Sequence, residues 1–167
     1  CQDAVEMVNA LAKLFRISIS KGHELIPIEK EVEHARSYLK IQNFRYKNQF
    51  SYEFQVEEDC LQYYCNKITL QPIIENAIYH GLDRMVDEGR ILIRIYSEGE
   101  DVVFRVEDNG VGMSEEQCRS ILHKEPGDNS GIGIKNVNDR IKIYFGKEYG
   151  LSIESELDEG TTVIIRM

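Results

Sequence analysis

The chain lacks a C-x-x-C pair and any cysteine-histidine set at zinc-ligand spacing; its four cysteines are Cys1, Cys60, Cys65 and Cys118. That excludes a structural zinc site and gives no sign of a disulfide framework. With no signal peptide in view, the cysteines read as reduced thiols in a cytosolic compartment. No run approaches the roughly 20 apolar residues that a membrane helix needs. Basic residues are outnumbered, 20 against 29 acidic, for a net charge of −9. This argues against a nucleic-acid surface, which needs clustered Lys and Arg, but leaves room for a nucleotide in a local pocket. Internal repeats and low-complexity segments are missing too. So is an initiator Met, and the chain is therefore expected to be a piece of a longer one whose targeting or transmembrane segment lies upstream.

What is present is enough for one domain and an appendage: 167 residues, 42% of them hydrophobic. Residues 3–19 carry Ala4, Val8, Leu11, Phe15 and Ile19 at helical spacing, a stripe that calls for a partner helix. A break at 21–23 and an extended stretch before Pro27 lead into a second helix, 28–46, with a stripe of Ile28, Val32, Ala35, Leu39 and Tyr46. Glu29, Glu31 and Glu33 sit near its N-terminus, where the helix dipole favours them. Residues 50–56 alternate strictly and predict a strand. A helix over 66–82 follows, then strands at 91–96 and 102–107. Ser114 and Gln117 form a capping-box signature for a short helix ending near His123. A polar loop at 124–131, a helix over 132–145 and strands at 151–154 and 161–167 complete the chain. The order implies an α+β fold, a two-layer α/β sandwich with a mixed sheet and helices on one face, preceded by a helical segment.

Three stretches carry chemistry. In Leu70-Gln71-Pro72-Ile73-Ile74-Glu75-Asn76-Ala77-Ile78-Tyr79-His80-Gly81-Leu82, at about 100° per residue, Leu70, Ile73, Ile74, Ala77, Ile78 and Gly81 fall on one side. Glu75, Asn76, Tyr79 and Asp83 fall on the other, with Gln71 and His80 at the margins. Such a face suits metal ions, waters and phosphates. Asp108-Asn109-Gly110-Val111-Gly112 closes a strand with a carboxylate and two glycines. Aspartate there can accept from an exocyclic amine such as adenine's, and the glycines admit backbone close to a flat ligand; a plain Asn-Gly turn is the competing reading. Gly131-Ile132-Gly133-Ile134-Lys135-Asn136 opens a helix, whose freed N–H groups and dipole suit phosphate, with Lys135 and Arg140 adding charge. It is neither a dinucleotide fingerprint nor a Walker loop. A hinge is the alternative there. The terminal Gly160-Thr161-Thr162 is weak by itself.

Taken in order, these stretches resemble the ATP-binding (Bergerat, GHKL) fold shared by histidine kinases, Hsp90-type chaperones, type II topoisomerases and MutL. The finer resemblance is to sensor histidine kinases of the LytS/YpdA type. It rests on residues 70–81, on Gly131-Ile132-Gly133-Ile134-Lys135-Asn136-Val137-Asn138-Asp139-Arg140-Ile141, and on residues 28–42 leading into the domain. The resemblance implies ATP and Mg²⁺ as cofactors. It implies Asn76 as the metal ligand, Glu75 as the catalytic carboxylate, and Asp108 on the adenine amine. Gly110 and Gly112 would line the base pocket, and Gly131 and Gly133 would let a lid and helix start close on the phosphates. Tyr79, His80, Lys135 and Arg140 would surround the phosphates, and Thr162 would lie near the base. Many kinases carry Asn or Glu one turn before the metal-binding Asn, where this chain has Pro72; Glu75 is the substitute carboxylate.

The resemblance further implies phosphoryl transfer to a histidine, relay to a response regulator and a homodimeric, membrane-anchored parent. It implies a cytoplasmic location for this segment, with no membrane contact of its own. The acceptor context of the family, an Asn-Pro-His-Phe-like motif, is missing from this chain. His34 stands beside the stripe of an ordinary helix and is not the acceptor. Residues 1–22 are thus expected to be the remnant of a dimerisation hairpin and residues 23–167 the catalytic domain. The alternatives are an ATPase clamp of the same fold and an ATP-binding module that transfers nothing.

Overall fold

A computed structural model of the chain describes residues 2–19, 24–82, 88–123 and 132–167. The expected break at 21–23, Asp83, the polar loop at 124–131 and the candidate residue Gly131 lie outside the described residues. Five strands form one mixed sheet in the order β2 (Phe50–Val56), β4 (Gly89–Glu98), β5 (Asp101–Asp108), β7 (Gly160–Arg166) and β6 (Gly150–Glu156). Only the β2–β4 pair is parallel. That fits the sequence, since a helix intervenes between β2 and β4 whereas Gly99-Glu100 and Asp158-Glu159 make hairpin turns. The α+β reading with helices on one face holds.

The sheet's inner face carries Ile91, Ile93, Ile95, Phe104, Val106, Val163 and Ile165, all buried. Its outer face carries Arg94, Arg105 and Glu107; Glu107 meets Arg94 across strands at 3.9 Å and Arg105 along its own strand at 3.8 Å. Helices α2 (Ile28–Arg45), α3 (Leu70–Asn76) and α5 (Ile132–Phe145) pack over the inner face. Ile73, Ile74 and Ile78 are almost wholly buried there, each contributing about 1.5–3 kcal/mol. Helix α4 (Glu115–Leu122) starts with the predicted capping box, Ser114 and Gln117 bonding reciprocally.

Helix α1 (Gln2–Ile19) lies against α2 through buried Ala10 and through Lys40–Glu6 (2.8 Å) and Lys13–Glu33 (3.8 Å) ion pairs. The expected stripe does not face α2. Val8, Leu11 and Phe15 stay 64%, 37% and 55% exposed on its outer side.

A second, small sheet was not legible as such: β1 (Leu25–Pro27) pairs antiparallel with β3 (Tyr64–Asn66). This shortens the helix expected at 66–82, which starts only at Leu70 because Asn66 is still strand and Ile68 has φ +58°. The side chain that ends this turn comes from α2. The buried Glu31 carboxylate accepts the N–H groups of Ile68 (3.0 Å), Thr69 (2.8 Å) and Leu70 (3.0 Å), capping α3 from outside. Burial pushes the Glu31 carboxyl above its ordinary value, opposed by the three N–H bonds and by the charge of Arg140.

Each buried N–H left without a partner costs about 1–3 kcal/mol. Glu31→Ala is therefore expected to lower the unfolding free energy by about 3 kcal/mol or more in urea titrations. Glu31→Gln, which keeps one acceptor, should lose markedly less. A loss within noise in the alanine variant would show that the α3 N-terminus is satisfied some other way.

Candidate functional site

Helix α3 changes pitch at the point where its polar face carries the candidate residues. After Asn76 the chain continues as a π-helical turn, Ala77–Leu82, a form met mostly as short bulges and often at functional sites. Gly81 in this turn is pressed against the Asp108 loop. A Cβ on Gly81 would lie 2.9 Å from Asp108 Oδ1, and one on Gly110 would lie 2.4 Å from Gly81 Cα. Glycine is needed at both positions because two backbones and a carboxylate share this space.

The Asp108 carboxylate sits in that notch. It accepts the Gly110 N–H at 2.8 Å, and the Thr161 backbone N–H beside it also favours the ionised form. Burial nevertheless outweighs these bonds and pushes its carboxyl up to about 6. The loop around it is fastened on both sides. Asn109 Oδ1 accepts the Arg90 N–H (2.6 Å), and the Val111 N–H donates to Gly81 O (3.2 Å). Met113 N–H donates to Ser155 Oγ at 2.8 Å. Gly112, at φ +69°, runs against the Glu156 carbonyl of the β6–β7 hairpin, where a Cβ would be 1.9 Å away. The result is a half-buried carboxylate at a strand end, flanked by bare backbone, an arrangement that can accept a hydrogen bond from a flat ligand's amine.

The expected neighbour Thr162 is corrected by the strand register. Thr162 pairs with Glu107 on the outer face of the sheet, while Thr161 pairs with Asp108 on the helix side. Thr161 is buried, and its hydroxyl shares a 2.7 Å bond with Ser155 Oγ. Strand alternation could have separated the two threonines, since Thr161, Val163 and Ile165 share the buried face.

Along α3, Asn76 is half-buried, with no hydrogen-bond partner for its amide among the described residues. Glu75 faces α2 instead of open space. Its carboxylate accepts from Gln71 Nε2 (3.0 Å) and faces the Tyr38 hydroxyl, which also lies near Tyr79. Burial, then the nearby Glu75 charge, pushes the Tyr38 hydroxyl far above its ordinary value. Tyr79 likewise leans on α2, with its hydroxyl accepting from Arg45 Nη1 at 3.3 Å and its ring 6.5 Å from that of Tyr46. His80 is exposed.

On α5, Gly133 meets α3 at Pro72, where an added Cβ would approach the proline Cβ to 3.1 Å. The Pro72 that replaces a polar residue thus serves as the seat of α5. Lys135 is paired with Asp139 (2.8 Å). Arg140 is already engaged: its guanidinium bonds Glu24 (3.4 Å) and the Ile68 carbonyl (3.2 Å). The structure therefore brings together Asp108, Gly81, Gly110, Gly112 and Thr161 at one end, and Glu75, Asn76, Tyr79 and His80 along the adjoining helix. It sets Arg140 apart as a strut. Tyr38, Gly81, Glu31 and Thr161 were absent from the expected site. An acidic Glu31 and a Tyr38 close to an otherwise apolar helix stripe were the available signals.

Two family profiles match the chain. The one described as histidine kinase-, DNA gyrase B-, and HSP90-like ATPase covers residues 65–167, and the one described as histidine kinase covers residues 1–50. The chain is 30% identical over 166 residues to sensor histidine kinase BtsS of Escherichia coli K12, covering 99% of this chain and 28% of that protein. It is 34% identical over 160 residues to sensor histidine kinase YesM of Bacillus subtilis, covering 96% of this chain and 27% of that protein. The chain thus spans just over a quarter of the length of these relatives. Among solved structures, the histidine kinase domain of the Erythrobacter litoralis EL346 blue-light activated kinase superposes with TM-score 0.64 at 16% identity, over 100% of this chain and 79% of that one. The catalytic domain of histidine kinase ThkA gives TM-score 0.62 at 14% identity, over 86% and 94%.

The raised Asp108 pKa has a direct consequence. The folded state binds a proton that the unfolded chain releases between about pH 4 and 6, so this group's stabilising effect is present at low pH and lost as pH rises through about 6. The loss is about 3 kcal/mol for a shift of some two units. Asp108→Asn is expected to stabilise the unliganded domain above pH 6 by up to that amount, with the difference shrinking toward pH 4. Urea midpoints of both proteins across that range check it; a constant difference would contradict it.

Proposed function

We propose a complete reaction for a chain that belongs to the histidine kinase-, DNA gyrase B-, and HSP90-like ATPase family and forms the catalytic ATP-binding part of a sensor histidine kinase. The longer parent uses ATP to phosphorylate a histidine upstream of α1 and passes the phosphoryl group to an aspartate of a response regulator. The observation that carries this is the Asp108 notch: a half-buried carboxylate against Gly81 and Gly110, adjoining a helix whose Asn76 amide has no hydrogen-bond partner among the described residues.

We assign Asp108 to the adenine amine, with Gly110 and Gly112 beside the ring and Thr161 as a backbone support. Magnesium fits the donor set. The ion takes few protein ligands and shares its shell with water and phosphate oxygens, and Asn76 offers one amide oxygen with no partner among the described residues. When bound, it would neutralise charge on the triphosphate. Asn76 would hold it, and His80 would stand at the phosphate side. We assign Glu75 to orienting the Asn76 turn instead of acting as the base, because it accepts from Gln71 and faces Tyr38 on α2. Lys135 serves the phosphates only by exchanging its Asp139 pairing. Gly131 and Gly133 admit the closing of the phosphate side. The chain's own contribution is positioning and electrostatics, which is most of what phosphoryl transfer requires.

We place residues 1–22 in a dimerising helical hairpin and residues 23–167 in the catalytic domain. The uncovered Val8, Leu11 and Phe15 on α1 support a homodimer through that hairpin. No described helix is long and apolar enough to cross a membrane, and a membrane-bound sensor parent rests on the names of its relatives.

The test is acid-labile phosphorylation of the longer parent with Mg-ATP. The wild-type parent should label on histidine. Asn76→Asp should lower the labelling rate by roughly two orders of magnitude, since it disturbs both the ion and the triphosphate. Steady ATP hydrolysis without a phosphohistidine would favour the ATPase-clamp alternative, and nucleotide binding with neither would favour a non-transferring module.

A further inference from the structure

We infer that Arg45, the last residue of α2, is a binding residue for the polyphosphate of the nucleotide. The inference rests on the adenine-nucleotide reading of the Asp108 notch. A triphosphate entering a chain of net charge −9 needs local cations. The two expected on α5 are engaged, Lys135 with Asp139 at 2.8 Å and Arg140 with Glu24 and a backbone carbonyl. Arg45 has no carboxylate partner among the described residues.

Its position is built. Nη1 donates to the Tyr79 hydroxyl at 3.3 Å, and its guanidinium carbon lies 5.8 Å from the centre of the Tyr46 ring. Tyr79 stands beside Tyr38, which also faces Glu75, and Glu75 accepts from Gln71. This row of polar side chains runs along α3 on its α2 side and ends in an exposed cation. Tyr79 follows Asn76 by three residues, about one turn, so the guanidinium stands just past the metal-binding position. Its remaining N–H groups form a planar fork suited to two phosphate oxygens. The neutral phenol orients the fork without cancelling its charge. The helix that leads in from the α1 segment would thereby close one wall of the nucleotide site. A shift of α2 against α3 would change phosphate affinity.

The experiment measures the affinities of ATP, ADP and adenosine, with magnesium and at fixed ionic strength, for the chain and for Arg45→Ala and Arg45→Lys. ATP affinity should fall roughly ten- to hundredfold in the alanine variant, as loss of a charge-assisted contact implies. ADP should fall less, adenosine should be unchanged, and lysine should restore part of the ATP affinity. Tyr79→Phe, which keeps the cation and removes its anchor, should give a smaller loss confined to the phosphorylated ligands. Unchanged ATP affinity in Arg45→Ala, or an equal fall for all three ligands, would overturn the assignment. If the wild-type chain bound none of the three, the nucleotide reading itself would fail.

Discussion

The clamp of Glu31 on the first turn of α3 is the constraint on which the rest depends. One buried carboxylate gathers three N–H groups from a neighbouring segment, and the charge of Arg140 reaches it from α5. Three helices are thereby fixed at one corner, the corner from which α3 sets out toward the site. Arg140 extends the same corner to Glu24 and thus to the small β1–β3 sheet. A carboxylate so buried is costly. The cost is offset by the groups it satisfies, which would otherwise be orphaned at a buried helix end.

From that fixed start, α3 runs to a π-helical turn and delivers Gly81 against Asp108. The added residue of a π turn lets the helix keep its apolar face on the sheet while its backbone meets the loop. Asp108 is accordingly desolvated where the Gly81 and Gly110 backbone presses on it. The same desolvation that raises its pKa strengthens any hydrogen bond it makes to a ligand. In the proposed site, stability of the empty domain and recognition by the filled one would be set against each other at this single side chain.

Much of this was legible in the sequence. Period-two strands and capping signals gave the five-stranded sheet and α4, and the spacing of Asp108, Gly110 and Gly112 marked the notch. What escaped was set by contacts distant in sequence. No local pattern shows that Glu31 caps a helix some forty residues later, or that this delays the start of α3 to Leu70. Arg140 lies in a phosphate-like motif but is drawn off by Glu24 and Ile68. Tyr79 lies on the expected polar face yet leans on α2. Thr161 and Thr162 are adjacent in sequence but on opposite faces of the sheet, and only the register with Asp108 and Glu107 decides between them.

The central claim is that Asp108 reads an exocyclic amine, and it is tested most directly by exchanging that amine. Inosine triphosphate differs from ATP in offering a carbonyl acceptor where adenine offers donors, and a carboxylate cannot bond it. The affinities of both nucleotides for the wild-type chain and for Asp108→Asn form the measurement. The account predicts that wild type prefers ATP by roughly tenfold or more, and that the asparagine variant, whose amide can donate, loses or reverses the preference. Equal affinity of wild type for the two nucleotides, or a preference untouched by the substitution, would contradict it.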